Sequence, residues 1–246
     1  AMSLLEMTVM DGKAVSTHLL QQVQEMVSTI KEKGGVLPKL SVILVGNNPA
    51  SEVYVNRKAT TAREVGIISE ILRFEEDLPE AELLAALDRL NVDPSVHGIL
   101  VQLPLPKHIH SEQVLNRIHP SKDVDGLSEH TIFDPATPMA IQWLLAGYGV
   151  ELLGKKIVIV GHGRLVGKPL ARMWQSSDLN VTVADKHVAD LAALTREADV
   201  LVCATGQPAL ITRDMVKPNA VIVDAGVATD SNGLVGDVAV DVRELP

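Results

Sequence analysis

A chain of 246 residues can form one large domain or two modest ones, each with its own core. Hydrophobic residues make up 46% and charged residues 22%, which excludes a disordered chain, and aromatics supply only 2%, so the cores must be aliphatic, as in parallel sheets buried on both faces. The net charge of −9 builds no basic stripe and argues against a nucleic-acid partner, while leaving room for a small anion held by local cations.

The one cysteine, Cys203, lies in the apolar run Val200-Leu201-Val202-Cys203-Ala204 and reads as a buried strand residue. A lone cysteine allows neither an internal disulfide nor a cysteine-type zinc site. No apolar run approaches the roughly 20 residues of a membrane span, and the N-terminus has no signal-peptide pattern. A cytoplasmic protein with no membrane partner is therefore expected.

In chain order, an opening helix is expected over about Lys13 to Lys33, stopped by Gly34-Gly35. Leu40 to Val45 reads as a buried strand closed by Gly46. Pro49 opens a helix through about Val65, with Ser51 as its N-cap. Ile67 to Phe74 reads as a strand, Glu80 to Leu90 as a helix, and Gly98 to Leu103 as a third strand. His108 and His110 fall in a loop with no third ligand at metal spacing. A helix over Thr137 to Tyr148, ended by Gly149, links this half to a second alternating series. There Ile157–Val160, Val181–Ala184, Asp199–Ala204 and Ala220–Asp224 are strands, and Val166–Ser176 and Val188–Glu197 are helices. The alternation predicts an α/β protein of two domains, 1–140 and 141–246, each with a parallel sheet, the second of Rossmann type.

The first strand of the second series runs into Gly161-His162-Gly163-Arg164-Leu165-Val166-Gly167-Lys168-Pro169. A strand, then glycines, then a helix opened by a proline is the context of a pyrophosphate-binding turn. Its G-x-G-x-x-x-G spacing is one residue longer than the common fingerprint. Asp185 follows the next strand, where a carboxylate accepts from ribose hydroxyls and repels a 2′-phosphate, favouring NAD. Lys186, His187, His162 and Arg164 lie close in sequence and could instead build a pocket for that phosphate.

In the first half, Tyr54 and Lys58 are four residues apart and share a helix face with Ser51. A lysine in a partly apolar cleft can serve in proton transfer. Gln102 ends the third strand, and Asp123-Val124-Asp125-Gly126 sets two carboxylates around a turn. Ligands of open α/β sheets bind beyond the carboxyl ends of the strands, which would bring Lys58, Gln102 and Asp125 toward one cleft.

The segments around Lys58, Gln102 and Asp123–Gly126, the turn from Gly161 to Pro169, and Asp214-Met215-Val216-Lys217-Pro218 resemble the bifunctional methylenetetrahydrofolate dehydrogenase/methenyltetrahydrofolate cyclohydrolase family. The likeness runs in the family's order from about Asp11 to Asp237. It implies hydride transfer from 5,10-methylenetetrahydrofolate to a nicotinamide cofactor, then hydrolysis to 10-formyltetrahydrofolate, in a homodimer. It implies that Lys58 assists proton transfer, that Gln102 orients Lys58, that Tyr54 packs on the folate rings, that Asp125 holds the pterin's amino edge and that Ser51 lines the pocket. A turn-forming role is expected for Asp123. The resemblance assigns the dinucleotide to Gly161, His162, Gly163, Arg164, Val166, Gly167, Asp185 and Lys186, and implies no metal.

The sequence departs from the family at defined points. His162-Gly163 stands for a usual Arg-Ser pair and Asp185-Lys186 for a usual His-Ser pair. Both changes fall where the 2′-phosphate of NADP would sit, so the resemblance implies NADP while Asp185 leaves NAD open. Ala136 replaces a usual cysteine, the loop from Gly126 to Pro135 is short, and the family's glycine-rich segment and closing helix would fall beyond Pro246. A dehydrogenase lacking hydrolase activity, or a nonenzymatic dinucleotide-binding scaffold, would have to explain Tyr54, Lys58, Gln102 and Asp125 together.

Overall fold

The computed structural model describes residues 8–231 and 233–245. These form two units, one of residues 13–135 and one joining the described residues ahead of Lys13 to those from Ala136 onward. The division falls at Pro135–Ala136, ahead of residue 140, because the helix Ala136–Gly147 buries Ile141 and Leu145 among the strands of the second unit.

The first unit begins with α1 (Gly12–Glu32), β1 (Lys39–Val45), α2 (Pro49–Glu64) and β2 (Ile68–Phe74). It continues through α3 (Glu80–Val92), β3 (Gly98–Val101) and α4 (Ser111–Arg117). Its three strands are parallel in the order β2-β1-β3. Successive side chains of a strand point to opposite faces. Ile43 and Val45 of β1 therefore join α3 and α4 in one core, while Val42 and Leu44 pack with Val55 of α2 on the other face. The short α4 was not anticipated in the sequence. It starts at His110, whose ring Nδ1 lies 2.9 Å from the Glu80 carboxylate, so His110 is a helix-cap residue with its own side-chain partner and not part of a plain loop.

The second unit contains α5 (Ala136–Gly147), β4 (Ile157–Val160), α6 (Gly167–Gln175), β5 (Val181–Ala184) and α7 (Leu191–Arg196). β6 (Val200–Cys203), β7 (Val221–Asp224) and the antiparallel pair β8 (Ala228–Asp230) and β9 (Gly233–Val235) follow. The main sheet is parallel, in the order β5-β4-β6-β7. Ile157 and Ile159 face Leu170 and Trp174, while Val158 and Val160 face Leu201, Cys203 and Ile211. With six fully buried β-branched residues, β4 and β6 themselves contribute only aliphatic side chains and Cys203 to the two faces, and among the described residues Trp174 is the one buried aromatic ring packed against them.

Candidate functional site

In the first unit β1 is followed by β2 on one side and by β3 on the other, so the winding reverses between β1 and β3 and a crevice opens past their carboxyl ends. Gly46 closes β1, and Gln102 follows β3. The regular strand stops at Val101, but the Gln102 backbone N–H still donates to the Ile43 carbonyl at 2.9 Å, which fixes the residue to the sheet. Its side-chain amide donates to the Leu103 carbonyl at 2.9 Å. That bond leaves Oε1 as the free end of the amide, and Oε1 accepts from Lys58 Nζ at 3.1 Å. Gln102 thus fixes the position of the lysine nitrogen without adding a second charge.

Lys58 reaches this point from α2. The helix is capped by Asn48, whose side-chain oxygen accepts from the Ser51 backbone N–H at 3.1 Å, and not by Ser51 as the sequence suggested. Pro49 supplies the first helical residue with its preset φ, which moves the cap one place ahead of it. Ser51 is consequently inside the first turn and only 3% exposed. Tyr54, one turn before Lys58, is 49% exposed, so its ring face is open to a planar ligand.

Asp125 is partly buried, and burial pushes its carboxyl above the ordinary carboxylate range. The Lys58 ammonium pulls it back down, and the Asp123 carboxylate adds a smaller upward push. The structure therefore brings Lys58, Gln102 and Asp125 into one neighbourhood. Asp123 is fully buried, and its Oδ2 accepts from the Ser128 backbone N–H at 2.9 Å, while its own carbonyl accepts from Gly126. Those bonds close the turn that presents Asp125. Gly126 sits at φ +68°, and a Cβ there would press on the backbone of Phe133 to Pro135.

In the second unit the winding reverses between β4 and β6. Gly161 leaves β4 at φ +104°, and a Cβ on it would collide with the Ala204 carbonyl that ends β6. Gly167 opens α6 so close to the turn that a Cβ would strike the Gly161 carbonyl. Gly163 is exposed and a Cβ there would meet nothing within 4 Å, so its backbone is approachable. Gly161 and Gly167 permit the close packing, and Gly163 offers the open backbone N–H that a pyrophosphate needs at a helix N-terminus. The residues present fit a dinucleotide. His162, Arg164 and Lys186 are exposed, and Val166 is half-buried. Asp185 is exposed, and its Oδ1 accepts from the His187 backbone N–H at 2.8 Å.

Sequence reasoning missed a clasp beside this turn. Asp237 is fully buried, and its Oδ2 accepts from the Thr205 backbone N–H at 2.6 Å and the Thr205 hydroxyl at 2.8 Å. Asp224 accepts from the backbone N–H groups of Gly226, Asp237 and Val238, each at 3.0 Å. The two carboxylates bind the chain after β9 to the ends of β6 and β7. The only hint in the sequence was an Asp within two residues of a Gly at each place, Gly226 and Gly236, where a Cβ would overlap the opposing carboxylate. The neighbouring Cys203 thiol is held well above its usual range, by burial first and then by Asp224 and Asp237, so it is inert.

A concavity of about 320 Å³ on the second unit, lined by residues such as Leu145, Val150, Leu152 and Trp174, includes none of these groups. The charged and polar groups described above converge instead at the strand ends.

Residues 10–125 match the family model described as tetrahydrofolate dehydrogenase/cyclohydrolase, catalytic domain, and residues 135–245 match the corresponding NAD(P)-binding domain. The chain is 44% identical to the bifunctional protein FolD of Exiguobacterium sibiricum, over 96% of this chain and 89% of that protein. It is 45% identical to FolD of Staphylococcus haemolyticus, over 96% and 87%. The crystal structure of the bifunctional enzyme FolD from Campylobacter jejuni superposes with a TM-score of 0.93 at 40% identity, covering 97% of this chain and 88% of that one. The Trypanosoma brucei dehydrogenase-cyclohydrolase, solved with NADP and an inhibitor, gives 0.89 at 32% identity over 97% and 87%. With both of its units matched in order and nearly its whole length covered, the chain belongs to the tetrahydrofolate dehydrogenase/cyclohydrolase family.

Proposed function

We propose that the chain oxidises 5,10-methylenetetrahydrofolate with NAD(P) and hydrolyses the methenyl product to 10-formyltetrahydrofolate, with Lys58 as the proton-transfer group of the hydrolysis. The observation that carries this assignment is the 3.1 Å bond from Lys58 Nζ to Gln102 Oε1 beside the partly buried Asp125.

In the hydrolytic step water adds to the methenyl carbon and loses a proton. The bond from that carbon to N5 then breaks, and N5 takes up a proton, leaving the formyl group on N10. Lys58 is placed to move these protons, and Gln102 is a positioning residue that keeps the nitrogen on the strand-end crevice. Asp125 accepts from the pterin's amino edge, a pairing its charge strengthens. Tyr54 covers the ring system and Ser51 lines the wall behind it. Gly161, His162, Gly163, Arg164, Val166, Gly167, Asp185 and Lys186 hold the dinucleotide, which supplies a hydride acceptor when bound.

A cytoplasmic homodimer with tetrahydrofolate derivatives as partners, and without nucleic acid or membrane, fits the same reading. Family kinship supports the dimer, and the −9 charge argues against a nucleic-acid partner. No helix among the described residues is long and apolar enough to cross a membrane.

The test mixes the full chain with 5,10-methylenetetrahydrofolate and either dinucleotide, and follows reduced nicotinamide and methenyltetrahydrofolate by absorbance. Both signals should rise together, with the methenyl signal then decaying. Methenyl product formed without either dinucleotide would sink the dehydrogenase half of the assignment.

A further inference from the structure

We infer that the second unit selects NAD over NADP, and that Asp185 is the residue that makes the selection. This rests on the dinucleotide reading of the Gly161 turn.

Val160 and Ala184 are register partners in β4 and β5, and the Gly161 N–H donates to the Ala184 carbonyl at 2.8 Å. Asp185 is therefore the first residue past β5, directly beside the turn that receives the pyrophosphate. In this architecture the adenosine ribose lies at that strand end. NADP differs from NAD there by a single 2′-phosphate.

Three features of Asp185 bear on that group. Its carboxylate is exposed and can accept from ribose hydroxyls. Its Oδ1 accepts from the His187 backbone N–H at 2.8 Å, which orients the negative charge within the loop. The same bond uses up a backbone N–H that a phosphate at this place would otherwise take as a donor. The opposing cations are of a different kind. Arg164 and Lys186 are long, exposed side chains, and His162 and His187 are exposed rings. The salt bridges among the described residues engage other carboxylates, so nothing anchors these cations over the ribose position. An oriented carboxylate repels a phosphate at short range, whereas mobile surface cations are screened and lose side-chain entropy on pairing. The oriented charge dominates.

The experiment measures dissociation constants of NAD and NADP for the full chain by isothermal titration calorimetry, without folate, in the wild type and in Asp185→Ser and Asp185→Asn. NAD should bind the wild type at least about ten times more tightly than NADP. Asp185→Ser should shrink or reverse that ratio mainly by improving NADP. Asp185→Asn keeps the acceptor but not the charge, and should shift the ratio in the same direction. Equal or tighter NADP binding by the wild type overturns the proposal, as does a folded Asp185→Ser protein with the wild-type ratio. The wild-type comparison decides even if a variant fails to fold. Binding of neither dinucleotide overturns the proposal together with the dinucleotide reading, whereas a plain preference for NADP overturns the proposal alone.

Discussion

The polarity of one amide sets the geometry of the proposed folate site. Gln102 donates through its nitrogen to Leu103 and accepts through its oxygen from Lys58, so the amide's two ends have separate tasks. Gln102→Leu removes both bonds while nearly keeping the volume. It should lower hydrolysis of methenyltetrahydrofolate by about 10²-fold, the usual cost of losing alignment, with a smaller effect on the KM for folate. Steady-state rates on methenyltetrahydrofolate check this. Asp125 makes a second, opposite prediction for binding and stability. Its carboxyl is raised chiefly by burial, so the ionised form costs the fold stability, and that cost appears as pH rises from the ordinary carboxylate range through the raised value. Asp125→Asn should therefore be more stable than wild type at neutral pH, and the gap should close as pH falls below the ordinary range. The same variant should bind folate roughly 10–100-fold more weakly at neutral pH, because a charge-assisted bond is lost. Melting temperatures and folate titrations across pH read both effects.

Among the elements, α6 depends on its first residue. Gly167 lets the helix begin against the Gly161 carbonyl, so Gly167→Ala must push helix and turn apart. A loss of about 1–3 kcal/mol is expected in denaturant titrations, with weaker dinucleotide binding by calorimetry. The central strands were legible in the sequence because their apolar runs are bounded by glycine or a polar residue, as at Val42–Val45 before Gly46 and Ile157–Val160 between Lys156 and Gly161. Helix α4 was not, because seven residues show too few turns of a 3.6 period for Val114, Leu115 and Ile118 to declare a face. The β8–β9 pair hid for a related reason: its strands have three residues each and expose Leu234. The N-cap of α2 was misread because Ser51 and Asn48 are both good caps, and only the position of Pro49 decides between them. At the site, Lys58 and Gln102 are separated by 44 residues, and no spacing rule links them. Their pairing followed from strand-end placement and the family resemblance. The Asp224–Asp237 clasp had neither signal, since the bonds that join its separate segments span 13 to 32 residues between loops.

For the molecule as a whole, the chain enters the second unit before it builds the first. Met10 packs with the core of β4, β6 and α6, and the Asp11 N–H donates to the Tyr148 hydroxyl at 2.6 Å. Met10→Ala should thus cost about 1–2 kcal/mol, a fraction of the value for a fully buried methionine. Hydrogen exchange should show the lost protection in β4 to β7 and not in β1 to β3. The assignment of the two chemistries to one chain rests finally on Lys58. Its ammonium also restrains Asp125, so Lys58→Met should move the acid limb of folate binding to higher pH as well as stop proton transfer. The most direct test measures, on one preparation of Lys58→Met, hydrolysis of methenyltetrahydrofolate and dinucleotide reduction by methylenetetrahydrofolate. Hydrolysis should fall by at least about 10²-fold, with measurable reduction remaining. An equal loss of the two activities, or hydrolysis at the wild-type rate, would contradict the role given to Lys58.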